Sequence, residues 1–382
     1  MTFAAAFFDE MDRREERAHS LQLGDPITLT EWNTATPKPR TIIDRWFYED
    51  VGVFIAPGGT GKTTLLLFQI IHLILGLDLF GLEVRAPGPV IIITAEDSRE
   101  TLIARLRFMC HQLNLTDEQK AAIREGVIIT DVSGRGLKLT TVEKDVVMPS
   151  KQLDRLIVEV GLRCPSLLIF DPMVSFGVGE SRINDAEQGL IEAGRRIRNA
   201  VGCGVIYVHH TGKANARDES LDQYSGRGGS ALADGARMIH VLQRLQPGEW
   251  TSKTGDILGP KDSGFVLARP KMTWCEPQPH LYIKRQGFVF DYFEAAAPEE
   301  AIAAMMKKNA ELILQLLKDE YLKGTRHTGR TLEAISPIQQ KQTRLTLQHL
   351  LANGLVVNEK VQRTGRGGAS SFLRPLDVPM TT

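Results

Sequence analysis

A glycine-rich loop between two apolar runs constrains this chain more than any other feature. Residues 56–63 read APGGTGKT, after VGVFI (51–55) and before TLLLFQIIHLIL (64–75). A buried strand, a tight glycine turn and a helix form the context in which backbone N–H groups converge on phosphate oxygens. In the pattern GxxxxGK[ST] the first glycine is here Ala56. Gly58, Gly59 and Gly61 free the backbone, and Pro57, Thr60 and Thr64 complete the candidate cradle. Lys62 falls where it reaches the β and γ phosphates, and Thr63 where it ligates Mg2+. The expected ligands are therefore ATP and Mg2+. A glycine turn with a chance GKT is the bland alternative, and the flanking strand and helix argue against it.

The pattern around the loop alternates strand and helix. Strands are expected at 51–56, 90–94, 126–131, 166–171 and 204–210, with helices at 62–75, 98–113, 150–161 and 184–202. This alternation implies a mostly parallel sheet with helices on both faces. After 235 the texture changes: ARMIHVLQRL (236–245), GFVLARPKMTW (264–274) and HLYIKRQGFVFDYF (280–293) read as strands without intervening helices. They are expected to extend the sheet with antiparallel members. Domain boundaries are expected near 40 and near 295–300, where TATPKPR (34–40) and AAAPEE (295–300) interrupt the pattern. That leaves an N-terminal arm over 1–40, an ATPase core over 41–295 and a small domain over 300–382.

Several side chains gather at the expected carboxyl edge of the sheet, where ligands of open α/β folds bind. LLIFD (167–171) ends in Asp171, a second candidate for Mg2+, although an Asp before Pro172 also serves to open a turn. VIIITAEDS puts Glu96 and Asp97 just past a strand. Glu96 is the candidate base for the attacking water, and Asp97 the structural partner or helix cap. GVIYVHH ends in paired histidines that point to opposite sides. His210 is taken as the group that senses the γ-phosphate. Two polar loops, 175–184 and 211–230, leave the same edge and carry Arg182, Lys213, Arg217 and Arg227. A loop as long as the second one is usually functional or disordered.

Net charge is zero, so a nucleic-acid role must rest on local patches. The four cysteines show no CxxC spacing, which disfavours a disulfide framework or a zinc site. No segment has the length of a membrane span or the layout of a signal peptide, so a cytoplasmic protein without a membrane role is expected. The C-terminal stretch reads as helices over 301–318, 329–336 and 339–354 followed by a glycine-tipped hairpin, the plan of a winged helix. From Tyr321 to Arg374 it carries nine Lys/Arg against Glu333 and Glu359. Such a basic module suits duplex DNA, with Lys341 and Arg344 on the recognition helix and Arg363 and Arg366 on the wing. Docking to a protein through the same face stays open.

The set AxxxxGKT, TAED, LLIFD, VHH and SGRGGSALADGAR, in this order, resembles the RepA-type replicative helicases of mobilisable plasmids, which belong to the RecA/DnaB-like hexameric ATPases. The resemblance covers about residues 42–293. It implies a RecA-like P-loop fold and a ring of six subunits with ATP at each interface. It also implies single-stranded DNA held by central loops. By motif match Lys62 and Thr63 bind nucleotide and Mg2+, Glu96 is the base, Asp171 the second metal-site acid and His210 the sensor. Arg237 falls where the family's arginine finger reaches into the neighbour's site, and Arg227 is a second candidate. Lys271, in RPKMTW, resembles the lysine of the KxR pair used in trans, with Thr273 at the arginine position.

Two other function classes fit parts of this pattern. An ATP-switched DNA-binding recombination or loading factor would oligomerise with ATP and hydrolyse it slowly, without separating strands. A small-molecule kinase would need a phosphoacceptor pocket, which the long loops and the basic C-terminal stretch disfavour.

Overall fold

The computed structural model describes residues 23–143, 145–178, 183–212, 220–295, 298–361 and 370–376. Strands β3 (Val51–Ala56), β4 (Val90–Thr94), β5 (Val127–Asp131), β8 (Leu167–Asp171), β9 (Gly204–His210), β10 (Met238–Leu245), β11 (Ser263–Met272), β12 (Leu281–Gln286) and β13 (Val289–Phe293) form one sheet in the order β13-β12-β11-β10-β3-β9-β8-β4-β5. From β10 to β5 every neighbour is parallel, and from β10 to β13 every neighbour is antiparallel. Two short hairpins, β1 (Thr41–Ile43) with β2 (Phe47–Tyr48) and β6 (Thr140–Glu143) with β7 (Val146–Pro149), lie outside it. This is the α/β, RecA-like P-loop fold.

The parallel strands are apolar at every position because both faces are covered. Along β3, Phe54 and Ala56 join one core, while Val51, Val53 and Ile55 join the other. β8 splits the same way, with Leu167 and Ile169 on one face and Leu168 and Phe170 on the other. Helices α2 (Lys62–Leu75), α3 (Arg99–Gln112) and α4 (Asp117–Gly126) cover the first face. Helices α5 (Lys151–Gly161), α6 (Ile183–Val201) and α7 (Ala231–Gly235) cover the second. The parallel order places the carboxyl ends of β3, β9, β8 and β4 side by side, and the phosphate loop follows β3 there.

Among the elements that differ from the sequence expectation, three bear on the fold around the sheet and the second unit. The run 280–293 is a hairpin rather than one strand, because Gly287 takes φ 63 and turns the chain between β12 and β13. Helix α4 was not anticipated: only Ile123 of it is buried, so it has no apolar stripe, although Thr116 and Gln119 form a capping box. A helix over Pro247–Thr254, α8, also starts on a capping box, between Gln246 and Glu249, and buries Trp250.

The molecule divides into two compact units. One contains the sheet, with Lys261–Phe293 returning to it; the other takes Gln246–Pro260 and the described chain from Glu294 onward. The second unit holds α8 and the helices α9 (Pro298–Leu322), α10 (Gly329–Ile335) and α11 (Gln340–Ala352). It also holds a hairpin of β14 (Val356–Val361) and β15 (Ser370–Pro375). Its core is Ile313, Leu317, Leu332, Leu350, Val356 and Leu373. Among the described residues no helix is long and apolar enough to cross a membrane.

The first core contains one group that ties stability to pH. His240, on β10, is fully buried beside Trp46, Phe47 and Phe54, and neither ring nitrogen has a hydrogen-bond partner. Burial pushes its pKa down to about 3. A depressed histidine contributes stability that is complete above its unfolded pKa, near 6.5, and is lost as pH falls toward 3. His240→Phe is expected to change stability at pH 7.5 by less than about 1.5 kcal/mol, as a similar-sized swap. It is also expected to move the acid-unfolding midpoint to lower pH. Circular dichroism across a pH titration checks this, and an unchanged midpoint would reject it.

Candidate active site

The chain leaves β3 at Ala56 and enters α2 at Lys62. Gly61 is the helix N-cap at φ 84, in the left-handed region that a side chain would strain. Thr60 ties the loop internally by donating its hydroxyl to the Pro57 carbonyl at 2.8 Å. Gly58 and Gly59 are exposed at the tip, while Thr60, Lys62 and Thr64 are buried. The unpaired first-turn N–H groups of α2 and the loop amides are the donors such a cradle offers an anion.

Three parallel strands bring their terminal side chains to this loop. Asp171, at the end of β8, accepts a hydrogen bond from the Thr63 hydroxyl at 2.9 Å through Oδ2. Its other oxygen, Oδ1, is buried with no partner. Burial, the largest effect, pushes the Asp171 carboxyl up to about 6, against the pull of Thr63 and Lys62; Glu96 and Asp97 add to the rise. His210, at the end of β9, has Nδ1 3.3 Å from Lys62 Nζ and Nε2 4.0 Å from Glu96 Oε2. Burial and then the Lys62 charge hold the His210 ring below its usual pKa, so it is neutral beside the lysine.

Glu96 stands past β4 with its side chain 60% exposed, which leaves a carboxylate open to solvent at the edge of the cradle. Its neighbour is committed: Asp97 accepts from Arg105 at 2.7 and 3.2 Å. Thr94 fixes the turn by accepting the N–H of both Glu96 and Asp97. His209 faces the opposite way from His210 and meets the Arg227 carbonyl at 2.5 Å. Burial holds it at a pKa of about 4.

The remaining candidates fall into separate places. Arg227 lies on the protein's own site side, since its N–H donates to the His210 carbonyl. The glycines after it are a packing requirement: a Cβ on Gly228 would lie 2.0 Å from Glu187, and one on Gly229 1.8 Å from Asn184. Arg237 is exposed at the other edge of the sheet, its N–H bonded to the Val51 carbonyl at the start of β3. Lys271 lies near that same edge, opposite Ile239, and donates Nζ to the carbonyls of Ala233 and Asp234 at 2.7 and 2.9 Å. Arg344 is held by Glu333 at 2.9 and 3.0 Å. Arg182, Lys213, Arg217, Arg363 and Arg366 lie outside the described residues, as does the side chain of Lys341.

Sequence reasoning missed one residue of this site. The Arg285 guanidinium of β12 abuts the phosphate loop: a Cβ on Gly61 would lie 2.8 Å from Arg285 Nη1. Nothing local marks it, because more than two hundred residues separate the two positions.

A family model for an AAA domain matches residues 17–216, more than half of the chain. The chain belongs to the AAA domain family. It is accordingly a P-loop ATPase, a class that binds ATP and typically Mg2+. The side chains of this AAA domain suit such a cation. Asp171 keeps one buried oxygen, Oδ1, without a partner, while its Oδ2 accepts the Thr63 hydroxyl at 2.9 Å. Among the described residues no cluster of three His, Cys, Asp or Glu could hold a metal unaided. Mg2+ takes one or two protein ligands and completes its shell with water and phosphate. Thr63 and Asp171 are the groups that would hold it, and when bound it neutralises charge on the β and γ phosphates.

Proposed function

We propose that this AAA-domain ATPase is a ring-forming helicase or translocase on single-stranded DNA, of the RepA type, serving replication of a plasmid, phage or mobile element. Lys62 and the loop amides bind the triphosphate, and Glu96 accepts the proton of the attacking water. His210, neutral and against Lys62, reports the state of the γ-phosphate to β9 and the long loop after it. The observation that carries the ring is the position of Arg237. It starts from the strand end opposite the phosphate loop, so it is useful to hydrolysis only in a neighbour's site.

The N-terminal arm supports self-assembly. Leu23, Ile27, Leu29 and Trp32 are 90, 73, 76 and 72% exposed, and the helix α1 (Leu29–Thr34) buries none of its residues. Four large apolar side chains left in water on one short arm are a docking element in search of a surface. The loops 175–184 and 211–230 follow β8 and β9, and their basic residues would meet the DNA strand. Within the second unit, α9, α10, α11 and the β14–β15 hairpin fit a winged helix that would dock duplex DNA.

The test is an ATPase assay with and without single-stranded DNA, with the mass of the particle measured in the same sample. The expected result is an oligomer whose turnover rises with single-stranded DNA. A monomer that hydrolyses ATP slowly and ignores DNA would sink the motor reading and favour the switch. A chain ended near Pro298 is expected to keep basal ATPase and lose duplex binding; equal duplex affinity would point the C-terminal unit to a protein instead.

A further inference from the structure

We infer that Arg285 is a nucleotide-contacting residue of its own subunit, a second cation that grips the phosphate chain beside Lys62. The inference rests on the ATP-binding reading of the loop and adds a ligand-contacting group to it.

Three observations converge on this arginine. The first is place. β12 runs antiparallel to β11, with Arg285 paired to Ser263, and β11 in turn pairs Gly264 with Leu245 at the end of β10. Arg285 therefore stands at the carboxyl edge of the sheet, the edge that carries the phosphate loop. Its Nη1 lies 2.8 Å from where a Cβ on Gly61 would be. Gly61 precedes Lys62 and caps the helix whose amides face the ligand.

The second is charge. Arg285 is half-buried, and burial, followed by the positive charges of Arg105 and Arg244, depresses its pKa. Among the described residues no carboxylate pairs with it, whereas Arg105 has Asp97. A guanidinium drawn partly out of water toward like charges is costly unless an anion completes it. The phosphate chain of a nucleotide is the anion that this loop is built to hold, and arginine binds phosphate through paired N–H donors.

The third is support. Arg285 Nε donates to the Gly287 carbonyl at 2.7 Å, which leaves the outer nitrogens free to turn toward the loop. The turn that bears it is latched to α3. Gln112 donates to the Gln286 carbonyl at 2.6 Å and accepts the Phe288 N–H at 3.1 Å. Phe108 stacks on Phe288, with ring centroids 5.6 Å apart. A long side chain held at its base in this way loses less freedom when it binds.

The test is equilibrium titration with ADP, AMP and inorganic pyrophosphate, on wild type, Arg285→Gln, Arg285→Lys and Lys62→Ala. Losing a hydrogen-bonded charge contact corresponds to about tenfold to a hundredfold in affinity. Arg285→Gln is expected to weaken ADP and pyrophosphate by that factor and AMP by less. Arg285→Lys should recover part of the loss, because it keeps the charge but not the Nε bond to Gly287; a purely structural role would show no such rescue. Wild-type affinity in Arg285→Gln, with binding lost in Lys62→Ala, would overturn this inference alone. A loss for ADP with none for pyrophosphate would also overturn it, since the contact would then be to base or ribose. Wild-type affinity in Lys62→Ala would instead reject the nucleotide reading of the loop.

Discussion

Replacing Asp171 with Asn is expected to stop turnover and, at the same time, to stabilise the nucleotide-free fold. The two effects have one cause. Asp171 is buried at the end of β8, with Oδ2 bonded to Thr63 and Oδ1 facing no partner. Its carboxyl is pushed up to about 6, from an ordinary value of 3.8. The sign follows from which state holds the proton more tightly. Below the unfolded pKa both states are protonated, and the folded state retains its full stability. As pH rises through 6 the folded state must ionise a buried group, and stability falls. About two pKa steps correspond to about 3 kcal/mol at pH 8. Asn keeps the acceptor for Thr63 and removes the charge, so the variant should melt several degrees higher at pH 8. The gap should narrow as pH falls through 6. ATPase activity should drop by at least about a hundredfold, because the side chain that would hold the cation is gone. Calorimetry at pH 8 and pH 5, beside an ATPase assay, checks both halves. A variant that melts lower than wild type at pH 8 would refute the stability argument; one with normal turnover would remove Asp171 from the site.

The contiguous apolar strands 90–94 and 167–171 were readable because the double helix cover leaves no face for polar residues. The carboxylates that end or follow them stood out against that background. Alternation along β9 separates His209 from His210, and in the fold one meets the Arg227 carbonyl while the other meets Lys62. Where burial is slight the signal fades. Helix α4 buries Ile123 alone, so only its capping box marks it. The hairpin β12–β13 looked like one strand because both halves carry apolar residues and only Gly287 breaks them. Arg285 was illegible for a different reason. Its meaning comes from the folding of β12 back to the phosphate loop, a contact between distant residues that no local pattern encodes.

Mixing two inactive variants is expected to restore ATPase activity, if Arg237 acts across a subunit boundary as proposed. Arg237 bonds the Val51 carbonyl at the first residue of β3, and the phosphate loop begins after Ala56 at the last. Five residues of strand separate them by about 16 Å at ~3.3 Å per residue. An arginine side chain spans less than half of that, so Arg237 has no route to its own γ-phosphate. Arg227, by contrast, lies beside its own His210, to whose carbonyl its N–H donates. A subunit with Lys62→Ala has no working cradle but keeps Arg237, and a subunit with Arg237→Ala has the reverse. Each alone should be inactive, the second by a factor on the order of 10³–10⁵ as for arginine fingers in general. In mixed rings some interfaces join an intact cradle to an intact arginine, and only those turn over. Activity should therefore rise and fall with the mixing ratio, with its maximum between the two pure samples. The local alternative is that Arg237 only steadies the start of β10. In that case mixing restores nothing, and Arg237→Ala lowers the melting temperature instead. Mixed oligomers shown by mass to contain both subunits, yet without recovered turnover, would remove the arginine from the neighbour's site.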